Sequence, residues 1–263
     1  MATQTNLFRF RGRIGNVRGY KLPTLSPDYA GLLGGPTKDQ ILNDPNFART
    51  RENMSEFGGS AMVGRVFRVG VAGLKFHQDP YFTGRLTAAM YRITRNGPGP
   101  RGEREILITT NHGELEEIEF HRLVSFDSIV LTSFTMSSNI SRNQSTLFVP
   151  SFDPFNLLDT PAGATHFRML NAAVALSDYD FDAVLGYVPK NATADGVSKL
   201  TYGAYLPVNV TAANQTIVSA LPGSPTMTNA TLVTCVGIEF YQQVGPNFYL
   251  FAQNNATKID LLF

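Results

Sequence analysis

The sequence has no tryptophan, a single cysteine and few charged residues, and each shortage narrows the class of protein. One cysteine, Cys235, cannot form a disulfide within the chain, so a disulfide-stapled fold is excluded. The cysteine lies in the β-like run ATLVTCVGIEFY, which predicts a buried apolar thiol. The lack of tryptophan counts against a sugar-binding surface built on indole rings.

Long apolar runs and catalytic motifs are also missing. No run approaches the roughly 20 apolar residues of a membrane-spanning helix, and the N-terminal residues show no apolar secretory core. No P-loop, Rossmann glycine pattern, Gly-x-Ser-x-Gly elbow or paired zinc ligands occur. We therefore expect a cytoplasmic protein that is not an enzyme, with no cofactor, no metal site and no membrane partner.

The charges that are present divide unevenly along the chain. Charged residues make up 16% of the sequence, against about 25% in a typical domain. Residues 1–102 contain 15 Lys and Arg but 6 Asp and Glu, whereas residues 103–263 contain 7 and 15. Such polarity indicates either a basic half that faces nucleic acid or contacts between unlike halves of neighbouring subunits.

Turn and capping residues divide the chain into three predicted segments. Residues 1–36 alternate basic and apolar residues before a Pro- and Gly-rich stretch, which predicts an extended arm with one or two short strands. Residues 37–100 are predicted to be helical. Thr37 is a candidate N-cap, the pairs Asp44-Pro45 and Asp79-Pro80 mark further helix starts, and NGPGP after Arg95 marks an end.

Apolar stripes within the helical segment predict which faces are buried. At about 100° per residue, Val63, Phe67, Val71 and Leu74 share one side of a helix. Met54 and Phe57 lie well over 100° away from that stripe on a straight helix. The sequence therefore predicts a break at Gly58-Gly59 that brings both stripes to one core. A third stripe comprises Phe82, Leu86, Ala89, Met90 and Ile93.

From residue 101 onward the apolar period changes to two, which is typical of strands. The predicted strands are REILIT, IEFHRLV, SIVLTSF, STLFVP, THFRMLNAAVAL, TYGAYLPVNVTA, NATLVTCVGIEFYQQV and NFYLFAQ. Residues 101–263 thus form an antiparallel β-sandwich or barrel-like domain. The predicted fold class is α+β: an N-terminal extended arm and helical segment, followed by this domain.

Two charged sets are the candidate functional residues. Guanidinium groups suit phosphates and carboxylates alike, so we predict an assembly or anion-binding surface formed by Arg9, Arg11, Arg13, Arg65, Arg68, Arg85, Arg92 and Arg95. The acidic stretches GELEEIEF and SDYDFD predict a counter-patch formed by Glu114, Glu116, Glu117, Glu119, Asp178, Asp180 and Asp182. The aspartates alternate as in a calcium loop but lack the glycine and glutamate that such a loop requires.

Four stretches resemble a group of uncharacterised bacterial proteins of similar length. They are GRIGNVRGYK, KDQILNDPNFARTRENMSEFGGSAMVGRVFR, VPSFDPFNLLDTPAGATHFRML and VTCVGIEFYQQVGPNFYLF, in this order along most of the chain. The resemblance implies a bacterial, cytoplasmic protein. It brings no assigned activity and no catalytic residue.

Three functions remain open from the sequence. The first is a structural protein that assembles with itself into a homo-oligomeric, polymer-forming filament, tube or shell. The second is a nucleic-acid-binding or capsid-like coat protein that uses the basic N-terminal half. The third is a ligand-binding sandwich with a groove lined by Tyr187, Tyr202, Tyr205 and Tyr241.

Overall fold

The N-terminal residues form a small antiparallel sheet. The structure, a computed structural model, describes residues 2–5, 9–21, 28–32 and 34–263, so parts of the predicted arm lie outside the described residues. The sheet order is β1-β4-β3-β2. Its strands are β1 Ala2–Thr3, β2 Gly12–Ile14, β3 Val17–Tyr20 and β4 Tyr29–Leu32. The sequence predicted one or two strands here, and the structure has these four.

Capping side chains start the first helical turns where the sequence predicted them. Thr37 caps helix α1, Lys38–Asn43, in a capping box with Gln40. The Asp44 carboxylate caps the 3₁₀ helix Pro45–Phe47 by accepting a hydrogen bond from the backbone N–H of Asn46. Helix α2, Ala48–Gly70, follows.

The chain divides into two units, residues 1–51 and 52–263.

Helix α2 is continuous, and the predicted break at Gly58-Gly59 is wrong. The break was needed only if Met54 and Phe57 joined the core, but both side chains are 55% exposed. Gly59 has a different role, because a Cβ there would lie 2.3 Å from the ring of Tyr187. The glycine therefore allows a close approach between the helix and that ring. The predicted stripe from Val63 to Leu74 is fully buried.

The second long helix, α3, Phe82–Asn96, also follows its prediction. A 3₁₀ helix, Ala72–His77, leads into it. The Asp79 carboxylate accepts a hydrogen bond from the backbone N–H of Tyr81 at 2.7 Å, just before the helix begins. The helix ends at Asn96, the first residue of the predicted stop NGPGP. All five side chains of its predicted stripe are fully buried.

The regular structure in the rest of the second unit consists mainly of antiparallel strands, and the fold class is α+β as predicted. Short helices interrupt it at α4 Ile108–Asn111, the 3₁₀ helix His112–Glu114, α5 Phe126–Ile129 and α6 Pro154–Leu157. The strands are β5 Thr135–Ser138, β6 Gln144–Val149, β7 His166–Ser177, β8 Tyr179–Asp182, β9 Gly186–Pro189, β10 Ser198–Tyr202, β11 Leu206–Pro207, β12 Gln215–Ala220, β13 Ala230–Val244, β14 Asn247–Leu250 and β15 Ala256–Leu262.

The central sheet has the order β10-β7-β13-β14, and β11 and β15 pair with β7 and β13. One face, which includes Leu170 and Val233, packs on α2 and α3 around Phe67 and Met90. Side chains alternate along a strand, so neighbouring residues point to the opposite face of the sheet. This other face packs on a second sheet, ordered β12-β6-β5. Helices α2 and α3, the central sheet and the β12-β6-β5 sheet thus form three layers.

Residues 103–134 depart from the strand prediction. Helices α4 and α5 occupy parts of the predicted strands REILIT and SIVLTSF, and in IEFHRLV a single bridge joins Glu119 to Lys258. Several apolar residues of these stretches are nevertheless buried, as Ile106 and Phe120 illustrate, whereas Leu123 and Leu131 are exposed. Short apolar runs do not distinguish a strand from a buried turn, so the burial of several residues was predictable here and secondary structure was not.

Candidate interaction surface on helix α2

The side of α2 that faces away from the core carries apolar and basic side chains in place of the usual mixed charges. We call it the outer face. Its members are the residues from Met54 onward that lie within about 80° of the direction of Met54 on the helix and are not buried: Met54, Phe57, Gly58, Ala61, Met62, Arg65, Arg68 and Val69. It contains no carboxylate, because Glu56 points to the buried side and is 1% exposed. A helix face of this composition suits contact with a partner better than contact with water.

The first half of the outer face is apolar. Met54 and Phe57 are exposed, and the Phe57 ring meets the ring of Tyr91 on α3 edge-on, with centroids 6.3 Å apart. Met62 lies one turn further along and is also exposed. We call Met54, Phe57, Met62 and Tyr91 the apolar patch. Aromatic and methionine side chains are the types enriched at protein interfaces.

The second half of the outer face is basic. Arg65, Arg68 and Lys75 line a cavity of about 280 Å³ together with Val69, Ala72 and Gln78. No carboxylate in the described part of the chain pairs with any of these three cations. The Nε of Arg68 is buried and has no hydrogen-bond acceptor among the described residues. We call this the basic cavity.

The structure gives several of the other predicted arginines partners within the chain. Arg85 forms an ion pair with Asp79, with Nη1 2.8 Å from Oδ2, and donates to the carbonyl oxygens of Glu119 and Phe120. Arg92 pairs with Glu114. Arg95 is exposed in the last turn of α3.

The arginines of the first unit also have contacts. Arg11 pairs with Asp28 at 3.2 Å, and Arg9 lies 4.0 Å from the same carboxylate. The Nε of Arg13 donates to the carbonyl oxygen of Gly15. In both ion pairs the arginine side chain is at least half exposed, whereas the Asp28 carboxylate is buried.

Every member of the predicted acidic counter-patch has a partner within the chain. The partners differ from residue to residue: Glu114 with Arg92, Glu116 with His112, Glu117 with Lys258, Glu119 with Ser125, Asp178 with Thr109, Asp180 with Lys190 and Asp182 with the backbone of Val184.

Glu117 belongs to a group of carboxylates that outnumbers its cationic partner. Lys258, which is buried, lies within 3.5 Å of carboxylate oxygens from Glu117, Asp127 and Asp260. Burial alone would lower the pKa of Lys258, but the hydrogen bonds from its ammonium group to Glu117 and Asp127 raise it above its usual value. Three carboxylates share one ammonium group, and Glu117 and Asp127 are exposed. We call Glu117, Asp127 and Asp260 the acidic cluster.

The pKa shifts of two carboxyls show opposite outcomes of burial. For Asp79, burial raises the pKa, but hydrogen bonds from the backbone N–H of Arg122, from Arg85 and from the backbone N–H of Tyr81 outweigh it, so the pKa lies below its usual value. For Glu119, burial dominates, and the hydrogen bonds from Ser125 and Phe126 do not compensate. The pKa of Glu119 is therefore raised.

A buried ionic cluster in the central sheet was missed by sequence reasoning. Glu239 on β13 lies opposite Arg168 on β7, and its Oε2 accepts hydrogen bonds from the Arg168 guanidinium at 2.8 Å and from the hydroxyl of Tyr241. The Nε2 of His77 lies 3.4 Å from Oε1. A charged residue inside each of two long apolar strands was the available signal, but only the register pairs them.

Tyrosine rings surround the guanidinium of this cluster. Arg168 lies 3.7 Å from the ring centroid of Tyr202 and 5.0 Å from those of Tyr205 and Tyr241. The structure thus brings together three of the four tyrosines of the groove hypothesis around a cation of the chain itself. Tyr187 lies instead beside Gly59.

A larger cavity of about 620 Å³ lies beside this cluster, between the end of the 3₁₀ helix Ala72–His77 and the β14–β15 loop. Its lining includes Phe76, His77, His121, Gln253 and Asn254. In the described ranges, no helix has the length and apolar character to cross a membrane. Nor do the described side chains include a group of three or more His, Cys, Asp or Glu residues arranged to hold a metal ion.

Comparisons with known proteins add little to this geometry. No protein-family model matches the chain, and no curated protein matches it. One solved structure, described as "pH-induced modulation of Streptococcus parasanguinis adhesion by Fap1 fimbriae", shows 9% identity over 48% of this chain and 79% of that chain, with a TM-score of 0.20. A likeness this weak carries no argument about fold or function. The resemblance to uncharacterised bacterial proteins stays a prediction.

Proposed function

We propose that the protein is a non-enzymatic structural protein that assembles with itself into a homo-oligomeric filament, tube or shell. The observation that carries this proposal is the apolar patch on α2 and α3. Met54 and Phe57 are more than half exposed on a rigid helix whose opposite side is fully packed. Each apolar side chain of this size gains about 1.5 to 3 kcal/mol when fully buried, so a second copy that covers the patch is favoured.

Charge supports contact between unlike surfaces of neighbouring copies. The outer face of α2 has basic residues and no carboxylate, whereas the acidic cluster has three carboxylates on one lysine. Contacts between the basic N-terminal half of one copy and the acidic β-rich half of the next would therefore be attractive. A contact between different patches repeats from copy to copy and closes into a ring or continues as a helix.

An open sheet edge provides a second kind of contact. Strand β14 pairs with β13 on one side, and no described strand pairs with its other side. Its residues Tyr249 and Leu250 are exposed. An unpaired edge accepts a strand from another chain through backbone hydrogen bonds. We assign this role to the N-terminal segment of the next copy.

Negative-stain electron microscopy of the purified protein at several salt concentrations tests the proposal. We expect regular assemblies at low salt that shorten or dissociate as salt screens the charged contacts. A particle with the mass of a single chain under all conditions would contradict self-assembly. Ultraviolet absorbance that shows bound nucleic acid in every assembled fraction would favour the coat-protein hypothesis instead.

A further inference from the structure

We propose that the basic cavity is a binding site for a phosphate group, held by Arg65, Arg68 and Lys75. The inference does not require self-assembly, because one chain supplies all three cations of the cavity. In an assembly, the phosphate group and the acidic cluster of the next copy would compete for these cations. Its volume of about 280 Å³ fits one small anion or one group of a larger molecule.

Three like charges without a counter-charge are the first argument. Arg65 and Arg68 lie three residues apart on α2, so their side chains are neighbours on the helix surface. Lys75 joins them from the following 3₁₀ helix. Like charges at this spacing repel one another, and the described part of the chain supplies no carboxylate to offset the repulsion. Elsewhere in the second unit, Arg85, Arg92 and Arg168 all have carboxylate partners.

The unsatisfied nitrogen of Arg68 is the second argument. Its Nε is buried from solvent, yet none of the described residues offers it an acceptor. Buried polar groups in native proteins are nearly always hydrogen-bonded. A bound anion that draws the Arg68 guanidinium into the cavity would supply the missing acceptor and neutralise the three cations together.

The number and geometry of the donors favour phosphate over a carboxylate. One arginine is enough to pair with a carboxylate, as Arg168 does with Glu239. Here two arginines and one lysine line the same cavity, and Gln78, which also lines it, has a side-chain amide able to donate hydrogen bonds. A phosphate group carries up to two negative charges and several acceptor oxygens, so it satisfies donors from several directions. A free phosphate compound and a nucleic-acid backbone both present this group.

The test compares two double variants that each remove two positive charges. Arg65→Gln with Arg68→Gln empties the cavity of its guanidinium groups. Lys38→Gln with Lys199→Gln removes two exposed lysines that are not among the residues lining the cavity. Binding of inorganic pyrophosphate is measured by calorimetry, and binding of a short fluorescein-labelled single-stranded DNA is measured by anisotropy across a salt series. Circular dichroism and sedimentation confirm that each variant is folded and has the wild-type mass.

We expect the cavity variant to lose about tenfold or more in affinity for the probe that binds, and the lysine variant to stay within about twofold of wild type. If DNA is the source of the phosphate, the slope of log affinity against log salt should fall by about 0.7 in the cavity variant, because one phosphate contact to the single strand is lost. Binding of pyrophosphate without DNA would indicate a free phosphate compound. No binding of either probe to the wild type, or equal losses in both variants, would overturn the inference. Wild-type mass together with lost binding separates this result from a failure of assembly.

Discussion

The two faces of helix α2 differ in how completely their side chains are buried and hydrogen-bonded within the chain. On the inner face, Val63 and Phe67 are fully buried, and the Ser60 hydroxyl meets the Thr94 hydroxyl at 2.9 Å. On the outer face, Met54 and Phe57 remain exposed and Arg68 has an unsatisfied nitrogen. The inner face is complete within one chain. The outer face is not, and this difference is the basis of our proposal that a second copy covers it.

The comparison predicts its largest effect for one pair of phenylalanines. Phe67→Ala should lower the free energy of unfolding by about 3 to 5 kcal/mol, because it opens a cavity among Phe120 and neighbouring core residues. Phe57→Ala should change it by less than about 1 kcal/mol, since that ring is half exposed. Urea denaturation of the dilute, dissociated protein measures both. Equal losses would show that the outer face is part of the core.

The buried ionic cluster predicts the next largest effect. Glu239→Gln leaves the Arg168 guanidinium without its counter-charge and should cost about 3 kcal/mol at neutral pH. Burial raises the pKa of Glu239, but the contacts with His77, Tyr241 and Arg168 outweigh the effect of burial. The pKa of Glu239 therefore lies below its usual value of 4.5. The stabilisation from the carboxylate is therefore fully present above pH 4.5 and is lost as the pH falls through the folded-state value.

Urea titrations of wild type and Glu239→Gln between acid and neutral pH check this sign. The difference in unfolding free energy should be largest near neutral pH and should shrink as the pH falls below about 4.5. A difference that is independent of pH would show that the carboxylate charge is not what stabilises the cluster.

The glycine pair of α2 gives the smallest and most closely matched contrast. Gly59→Ala should destabilise the protein by about 1 to 3 kcal/mol, because the new Cβ would clash with the ring of Tyr187. Gly58→Ala meets nothing within 4 Å and should stabilise it by about 0.5 to 1 kcal/mol through helix propensity. Thermal melts compare the two. Stabilisation by both would mean that Tyr187 does not pack against the helix.

Much of the fold was predictable where the signal is local. Thr37 caps α1, the stripe of α3 is buried, and the long apolar runs became β7 and β13. The glycine pair was misread because its role is set by Tyr187, more than a hundred residues away in sequence. The strand predictions around Ile108 and Ile129 were wrong, because a short apolar run does not show whether the residues form a strand or a helix.

The candidate site was predictable only in part, for electrostatic reasons. The periodicity of α2 correctly placed Arg65 and Arg68 opposite the core stripe. The sequence did not reveal which arginines already have partners, since Arg85 pairs with Asp79 and Arg92 with Glu114 only once the chain folds. The pairing of Arg168 with Glu239 depends on strand register, which composition does not encode.

The most direct test of the account is the mass of two matched variants, measured by sedimentation velocity at low salt. Met54→Ser with Phe57→Ser removes the centre of the apolar patch. Leu131→Ser with Val210→Ser removes two apolar side chains of similar exposure elsewhere on the surface. We expect the wild type and the second variant to sediment as assemblies and the first as a single folded chain. Assemblies of unchanged mass in the first variant would contradict the claim that the outer face of α2 is where copies meet.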